Sequence, residues 1–146
     1  MSDKINPFEK KKKGVFFFKS SNPYEFYDLL NGKNMDDKQD VWGTLIFPEN
    51  AKKPCPLIIP IHGSAGLREG HHTHMVNLLD AGFAIFRIHH FESRGVISIV
   101  ENQTEVTLAS MITDAFRALT LVSKHPDVDS DKIGIMGWSL GGSTAF

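Results

Sequence analysis

Ser139 stands between glycines in Gly137-Trp138-Ser139-Leu140-Gly141, and a further glycine follows at 142. A serine in a Gly-x-Ser-x-Gly pattern is nucleophilic when it occupies a sharp strand-to-helix turn that lifts its hydroxyl above a sheet. Such a turn leaves little room for a Cβ beside the serine, and glycine at 137 and 141 removes the clash. The spacing marks Ser139 as the nucleophile of an acyl-transfer reaction. Its flanks must then supply a strand and a helix. Lys132-Ile133-Gly134-Ile135-Met136 reads as a short buried strand, and Leu140 to Phe146 opens a helix whose N-terminus faces the serine.

A second Gly-rich motif, His62-Gly63-Ser64-Ala65-Gly66, directly follows the apolar run that ends at Ile61. In a sheet that carries such an elbow, one oxyanion-hole N–H comes from the residue after the nucleophile and the other from a loop after an earlier strand. That assigns Leu140 as one donor, and Ser64 ahead of Ala65 as the other.

The elements that must position these residues alternate along the chain. Val15 to Lys19 and Val41 to Phe47 read as an antiparallel pair, separated by the polar stretch Asn31 to Asp40. Pro56 to Ile61 and Phe83 to Ile88 are continuous apolar runs suited to parallel strands covered on both faces. His71 to Asp80 is a short helix closed by Ala81-Gly82. A longer helix is predicted from about Gln103 to Lys124, with Leu108, Met111, Ile112, Ala115, Leu119 and Val122 as its apolar stripe. Asn102 is its expected cap with Glu105 reaching back, and Asp127 to Asp131 is the expected turn into the elbow strand. The order β-β-β-α-β-α-β-elbow defines an α/β fold, the opening half of a doubly wound sheet.

Composition sets the class. A formal net charge of −1, with 41% apolar and 23% charged residues, is that of a globular domain without a nucleic-acid surface. The basic run Lys10 to Lys13 is short and isolated, and reads as a solvated turn. The polar, basic segment 1–13 thus precedes residues 14–146, the N-terminal part of one domain. Cys55, the single cysteine, forms no internal disulfide and sits between prolines as a structural thiol. Val15 to Phe18 is too short for a signal-peptide core and no run has transmembrane length, so a cytoplasmic protein without membrane contact is expected.

Four segments together resemble the α/β-hydrolase superfamily and, within it, the dienelactone hydrolase family. They are His62 to Gly66, Phe91-Glu92-Ser93-Arg94-Gly95-Val96, Asp114 to Leu119, and Asp131 through the elbow to Gly142. The resemblance implies a doubly wound, mostly parallel sheet, of which this chain holds the first five strands and the nucleophile elbow, with the elbow strand beside the third strand. It implies a Ser or Cys nucleophile with Asp and His partners, no metal, no cofactor, and a small-molecule ester or lactone as substrate. The founding enzymes use Cys where this chain has Ser139, and relatives with the Phe-x-x-Arg-Gly segment often carry an acidic residue and a serine where His89-His90 stand. Prolyl-oligopeptidase-like serine peptidases share a similar Gly-Trp-Ser-x-Gly-Gly, which leaves a peptidase as one alternative and a non-catalytic hydrolase-fold binding module as another.

In hydrolases with this elbow, an acid and then a histidine follow on later strands. Only seven residues follow Ser139, so the chain reads as the N-terminal part of a longer enzyme and is expected to be inactive by itself. Of the histidines, His62, His89 and His90 lie after predicted parallel strands, where they would line the pocket, as would Arg94. Arg94 suits a substrate carboxylate or a loop tether equally. His71 and His74 are one helical turn apart, but without a third ligand at local spacing they read as an exposed polar face rather than a metal site.

Overall fold

The computed structural model describes Phe8 and residues 12–146. Its strands are β1 (Gly14–Ser20), β2 (Gln39–Ile46), β3 (Cys55–Ile61), β4 (Ala84–Ile88) and β5 (Val128–Gly137), and its helices α1 (Phe26–Asn31), α2 (Glu69–Asp80), α3 (Leu108–Val122) and α4 (Leu140–Ala145). The five strands form one sheet in the order β1-β2-β4-β3-β5. β2 is antiparallel to both β1 and β4, whereas β3 runs parallel to β4 and β5. All strands but β2 therefore share one direction.

The apolar runs explain the central strands. Leu57, Ile59 and Ile61 of β3 and every residue of β4 except Arg87 are buried, as expected for strands covered on both faces. In β2 burial alternates through Val41, Gly43 and Leu45, the pattern of a sheet packed on one face. α3 buries Met111, Ala115, Ala118 and Val122 against this core. Phe8 is also a core residue and packs on Phe16 and His125 with ring centroids 4.7 and 4.5 Å away. Of the basic run, Lys12 and Lys13 are exposed, and Lys10 and Lys11 lie outside the described residues.

Three local expectations change. The stretch between β1 and β2 contains α1, which Gly32 terminates in the left-handed conformation at φ 66. It was illegible by periodicity because Phe26, Tyr27 and Leu30 are all exposed. α3 begins at Leu108, not near Gln103, and Thr107 caps it by accepting the Ser110 N–H at 3.1 Å. Asn102 instead turns back on itself, its side chain accepting the Thr104 N–H and hydroxyl at 3.2 and 2.6 Å. The Glu105 N–H closes the same turn on the Asn102 carbonyl at 3.3 Å, ahead of the Thr107 cap. The Asp-rich turn before the elbow strand lies inside β5 as a bulge: Cys55 pairs with Val128 but Leu57 with Ile133. Asp129 holds the bulge through the Asp131 N–H at 3.2 Å and Lys132 Nζ at 2.9 Å.

Candidate active site

Because β3 and β5 are parallel neighbours, the loops at their C-terminal ends lie side by side. Ile61 and Gly137 are register partners, so the two Gly-rich motifs leave the sheet at the same level. The Trp138 N–H donates to the Ile61 carbonyl at 3.0 Å and ties the elbow to the end of β3. A Cβ on Gly137 would collide with the Gly141 carbonyl, and one on Gly141 with the carbonyls of Ile61 and His62. These close approaches are the physical reason for the glycine spacing.

Ser139 itself is exposed and has φ 54 and ψ −118, a conformation that L side chains rarely adopt. The carbonyl of Ser139 accepts the N–H groups of Gly142 and Ser143 at 2.8 and 3.2 Å, so the first turn of α4 holds the strained residue in place. The N–H of Leu140, first in that helix, precedes the intrahelical ladder. Gly63 lies directly against the serine, since a Cβ added to it would be 3.1 Å from Ser139 Cβ and 3.8 Å from Oγ.

The orientation of the Ser64 N–H is fixed from behind. The Gly63 carbonyl accepts the Gly66 N–H at 3.0 Å and pairs with His62 Nδ1 at 2.9 Å. In a trans peptide the next N–H points the opposite way, so clamping the Gly63 oxygen also sets the Ser64 donor. His62 must carry its proton on Nδ1 to make this bond, and burial lowers its pKa to about 4, which keeps it neutral at neutral pH. Its Nε2 is buried without a hydrogen-bond partner, with the Phe91 ring edge-on at 4.4 Å.

The remaining candidates lie inside the fold. His90 is fully buried, with Nδ1 2.8 Å from Asp114 Oδ2. Arg94 was expected to line the pocket or tether a loop; its guanidinium is fully engaged by Asp114 at 2.8 and 3.0 Å, the His90 carbonyl at 2.9 Å and Asn22 at 2.8 Å. Ser20 Oγ also donates to Asp114, at 2.5 Å. Burial alone would raise the Asp114 pKa, but the hydrogen bonds and charges of His90 and Arg94 outweigh it and hold the carboxyl below the ordinary range. His89 stacks on Trp42 at 5.5 Å and pairs Nε2 with Thr44 Oγ1 at 2.9 Å. Two cavities among the described residues, of about 520 and 300 Å³, are lined by none of His62, His89, His90 and Arg94, and the first lies between α3, α4 and β5 without including Ser139.

Asp114 had no assigned role in the sequence, yet it stands on the buried face of α3 between Met111 and Ala118. A lone acid on an otherwise apolar stripe was the available signal. His71 is half-buried rather than exposed, stacked on Trp138 at 4.2 Å with Nδ1 accepting the Arg68 N–H at 3.1 Å. Among the described residues no group of three His, Cys, Asp or Glu side chains is arranged to hold a metal ion, and no helix is long and apolar enough to cross a membrane.

The sheet order, the strained serine between β5 and α4, and the adjoining loop after β3 define an α/β-hydrolase-type fold. Residues 44–146 match the BD-FAE family, and the chain belongs to it. No curated protein matches. Among solved structures, Est1E from Butyrivibrio proteoclasticus with ferulic acid bound is 27% identical with a TM-score of 0.57, covering 72% of this chain and 41% of that one. A putative dienelactone hydrolase from Klebsiella pneumoniae is 16% identical with a TM-score of 0.57, covering 85% and 50%. The glucuronoyl esterase from Solibacter usitatus is 21% identical with a TM-score of 0.54, covering 73% and 39%. The chain thus spans about half or less of the length of these structures.

Proposed function

We propose that this chain carries the nucleophile and oxyanion hole of a serine hydrolase acting on carboxylic esters or lactones. The observation that carries the reading is Ser139, strained at φ 54 with Gly63 packed so closely that a Cβ there would be 3.1 Å from the serine Cβ. A residue is held in such a conformation only where the surroundings over-determine it, and the cost is of order 1–3 kcal/mol. Support comes also from the likeness to Est1E with its bound ferulic acid and to the glucuronoyl esterase and dienelactone hydrolase structures.

In this mechanism Ser139 Oγ attacks the carbonyl carbon and its proton passes to a histidine base. The carbonyl electron pair moves to oxygen, where the N–H groups of Leu140 and Ser64 receive it. Each such donor is worth about 3 kcal/mol in the transition state. Collapse expels the alkoxide with the proton from the base, and water then hydrolyses the acyl-enzyme. In hydrolases with this elbow the acid and the base follow on later strands, and both are assigned there. His62 is too weak a base at a pKa of about 4 and is committed to Gly63, while His90 is committed to Asp114.

The test is covalent. A fluorophosphonate probe is expected to label the full-length protein at Ser139, and Ser139→Ala to abolish both labelling and ester turnover. An unlabelled Ser139 in a folded full-length protein overturns the reading. Turnover of peptide p-nitroanilides in place of p-nitrophenyl esters would assign a peptidase instead.

A further inference from the structure

The segment after β4 is pinned at two core residues and carries apolar side chains in water beside them. Phe91 and Ile99 are each 1% exposed, whereas Ile97 is 87% and Val100 58% exposed. Backbone bonds impose the contrast. The Val96 N–H returns to the Phe91 carbonyl at 2.9 Å after a left-handed Gly95 at φ 70. The Ile99 N–H donates to the Ser64 carbonyl at 2.8 Å, and Ser98 Oγ donates to the same oxygen at 3.3 Å while accepting the Val100 N–H at 3.3 Å. The Ile97 carbonyl lies so close to Gly66 that a Cβ there would be 2.7 Å from it. Segment 96–100 is therefore a fixed strap along the loop whose Gly63 touches Ser139.

A single exposed aliphatic side chain needs no explanation. Here two branched ones, three residues apart, stand on a strap that Ile99 N–H and Ser98 Oγ bind to the Ser64 carbonyl, and Ala65 and Leu67 of that loop are themselves half-buried. We propose that Ile97 and Val100 form the apolar wall of the substrate site and select esters with a bulky hydrocarbon acyl group. The carbonyl would sit at the Ser64 and Leu140 donors while the acyl chain leaves water against the strap. Burial of each methylene favours binding roughly fourfold. The chemistry at this subsite rests on the ester-hydrolase reading, but its affinity for hydrocarbon does not.

Two measurements on the full-length protein keep these apart. The first is kcat/KM for p-nitrophenyl acetate and hexanoate in wild type and in an Ile97→Ser, Val100→Ser double variant whose circular dichroism and melting are checked. The second is calorimetric titration with hexanoate anion, which needs no turnover. The hexanoate-to-acetate ratio is expected to fall about tenfold or more through KM, and hexanoate affinity to weaken at least fivefold. An unchanged ratio or unchanged hexanoate affinity in the double variant overturns the subsite while leaving the hydrolase reading intact. Hexanoate binding that depends on Ile97 and Val100, without hydrolysis of either ester, supports the subsite and removes the hydrolase reading. A wild-type protein that neither hydrolyses nor binds overturns both.

Discussion

A methyl group added to Gly63 would stand 3.1 Å from Ser139 Cβ and 3.0 Å from the Trp138 carbonyl, so the loop after β3 and the elbow after β5 are in van der Waals contact with no room to spare. Gly63→Ala must displace one of them by a few tenths of an ångström. Because catalytic geometry is sensitive on that scale, ester turnover of the full-length protein is expected to fall about 10- to 100-fold. Thermal melting, set by the core elsewhere, should move little. A variant with wild-type kcat would show that the two loops are not held together during the reaction.

The strain at Ser139 makes a separate prediction for stability. Glycine adopts φ 54 and ψ −118 without a Cβ penalty, whereas alanine keeps it. Ser139→Gly is expected to be more stable than Ser139→Ala by about 1 kcal/mol, although both lose the hydroxyl. Urea denaturation of the two variants measures the difference, and equal stability would mean the turn relaxes when the hydroxyl is removed.

Asp114 is the buried hub for Arg94, His90 and Ser20, while Asp37 pairs with Arg117 at the exposed surface. Asp114→Ala leaves a guanidinium uncompensated in the interior and is expected to cost about 3–5 kcal/mol. Arg117→Ala should cost less than about 1 kcal/mol. Since the folded-state pKa of Asp114 is depressed, its stabilisation is present above the unfolded value and is lost as pH falls through the folded one. Urea midpoints at pH 7 and pH 3 report both effects.

His62 titrates in the opposite chemical sense but also loses stability in acid. Its folded pKa of about 4 lies below the ordinary 6.5, so the unfolded chain binds the extra proton between these values. Stability should therefore rise with pH from about 4 to 6.5 and level off above, with His62 contributing at most about 3 kcal/mol. Burial also lowers the pKa of His125, which contributes in the same sense below its ordinary value. The comparison that isolates His62 is the slope in wild type against His62→Asn. An unaltered slope in the variant would place the titration elsewhere.

The motifs themselves determined a great deal. Gly137-Trp138-Ser139-Leu140-Gly141 after an apolar run is dictated by local sterics, because a strand-to-helix turn of this kind tolerates no Cβ at 137 or 141 wherever it occurs. The continuous apolar runs of β3 and β4 likewise foretold strands covered on both faces. Local hydrogen-bond competition was harder to read: Asn102 and Thr107 are both good caps, and the choice of Thr107 goes with the hydrogen bond its hydroxyl donates to the Pro23 carbonyl at 2.6 Å, a partner 84 residues away. The roles of the buried polar side chains were decided only by tertiary structure. Arg94 and His90 carry the same chemistry whether they face a substrate or a carboxylate of the protein, and only the packing of α3 beside β4, which brings Asp114 to both, settles which. The same holds for Ile97 and Val100: an apolar residue in a sequence reads as core, and it takes the anchoring of Ile99 to Ser64 to leave its neighbours in water beside the loop after β3. Short-range sterics are written in consecutive residues, whereas the partner of a long-range charge or an apolar wall exists only once the chain has folded back on itself.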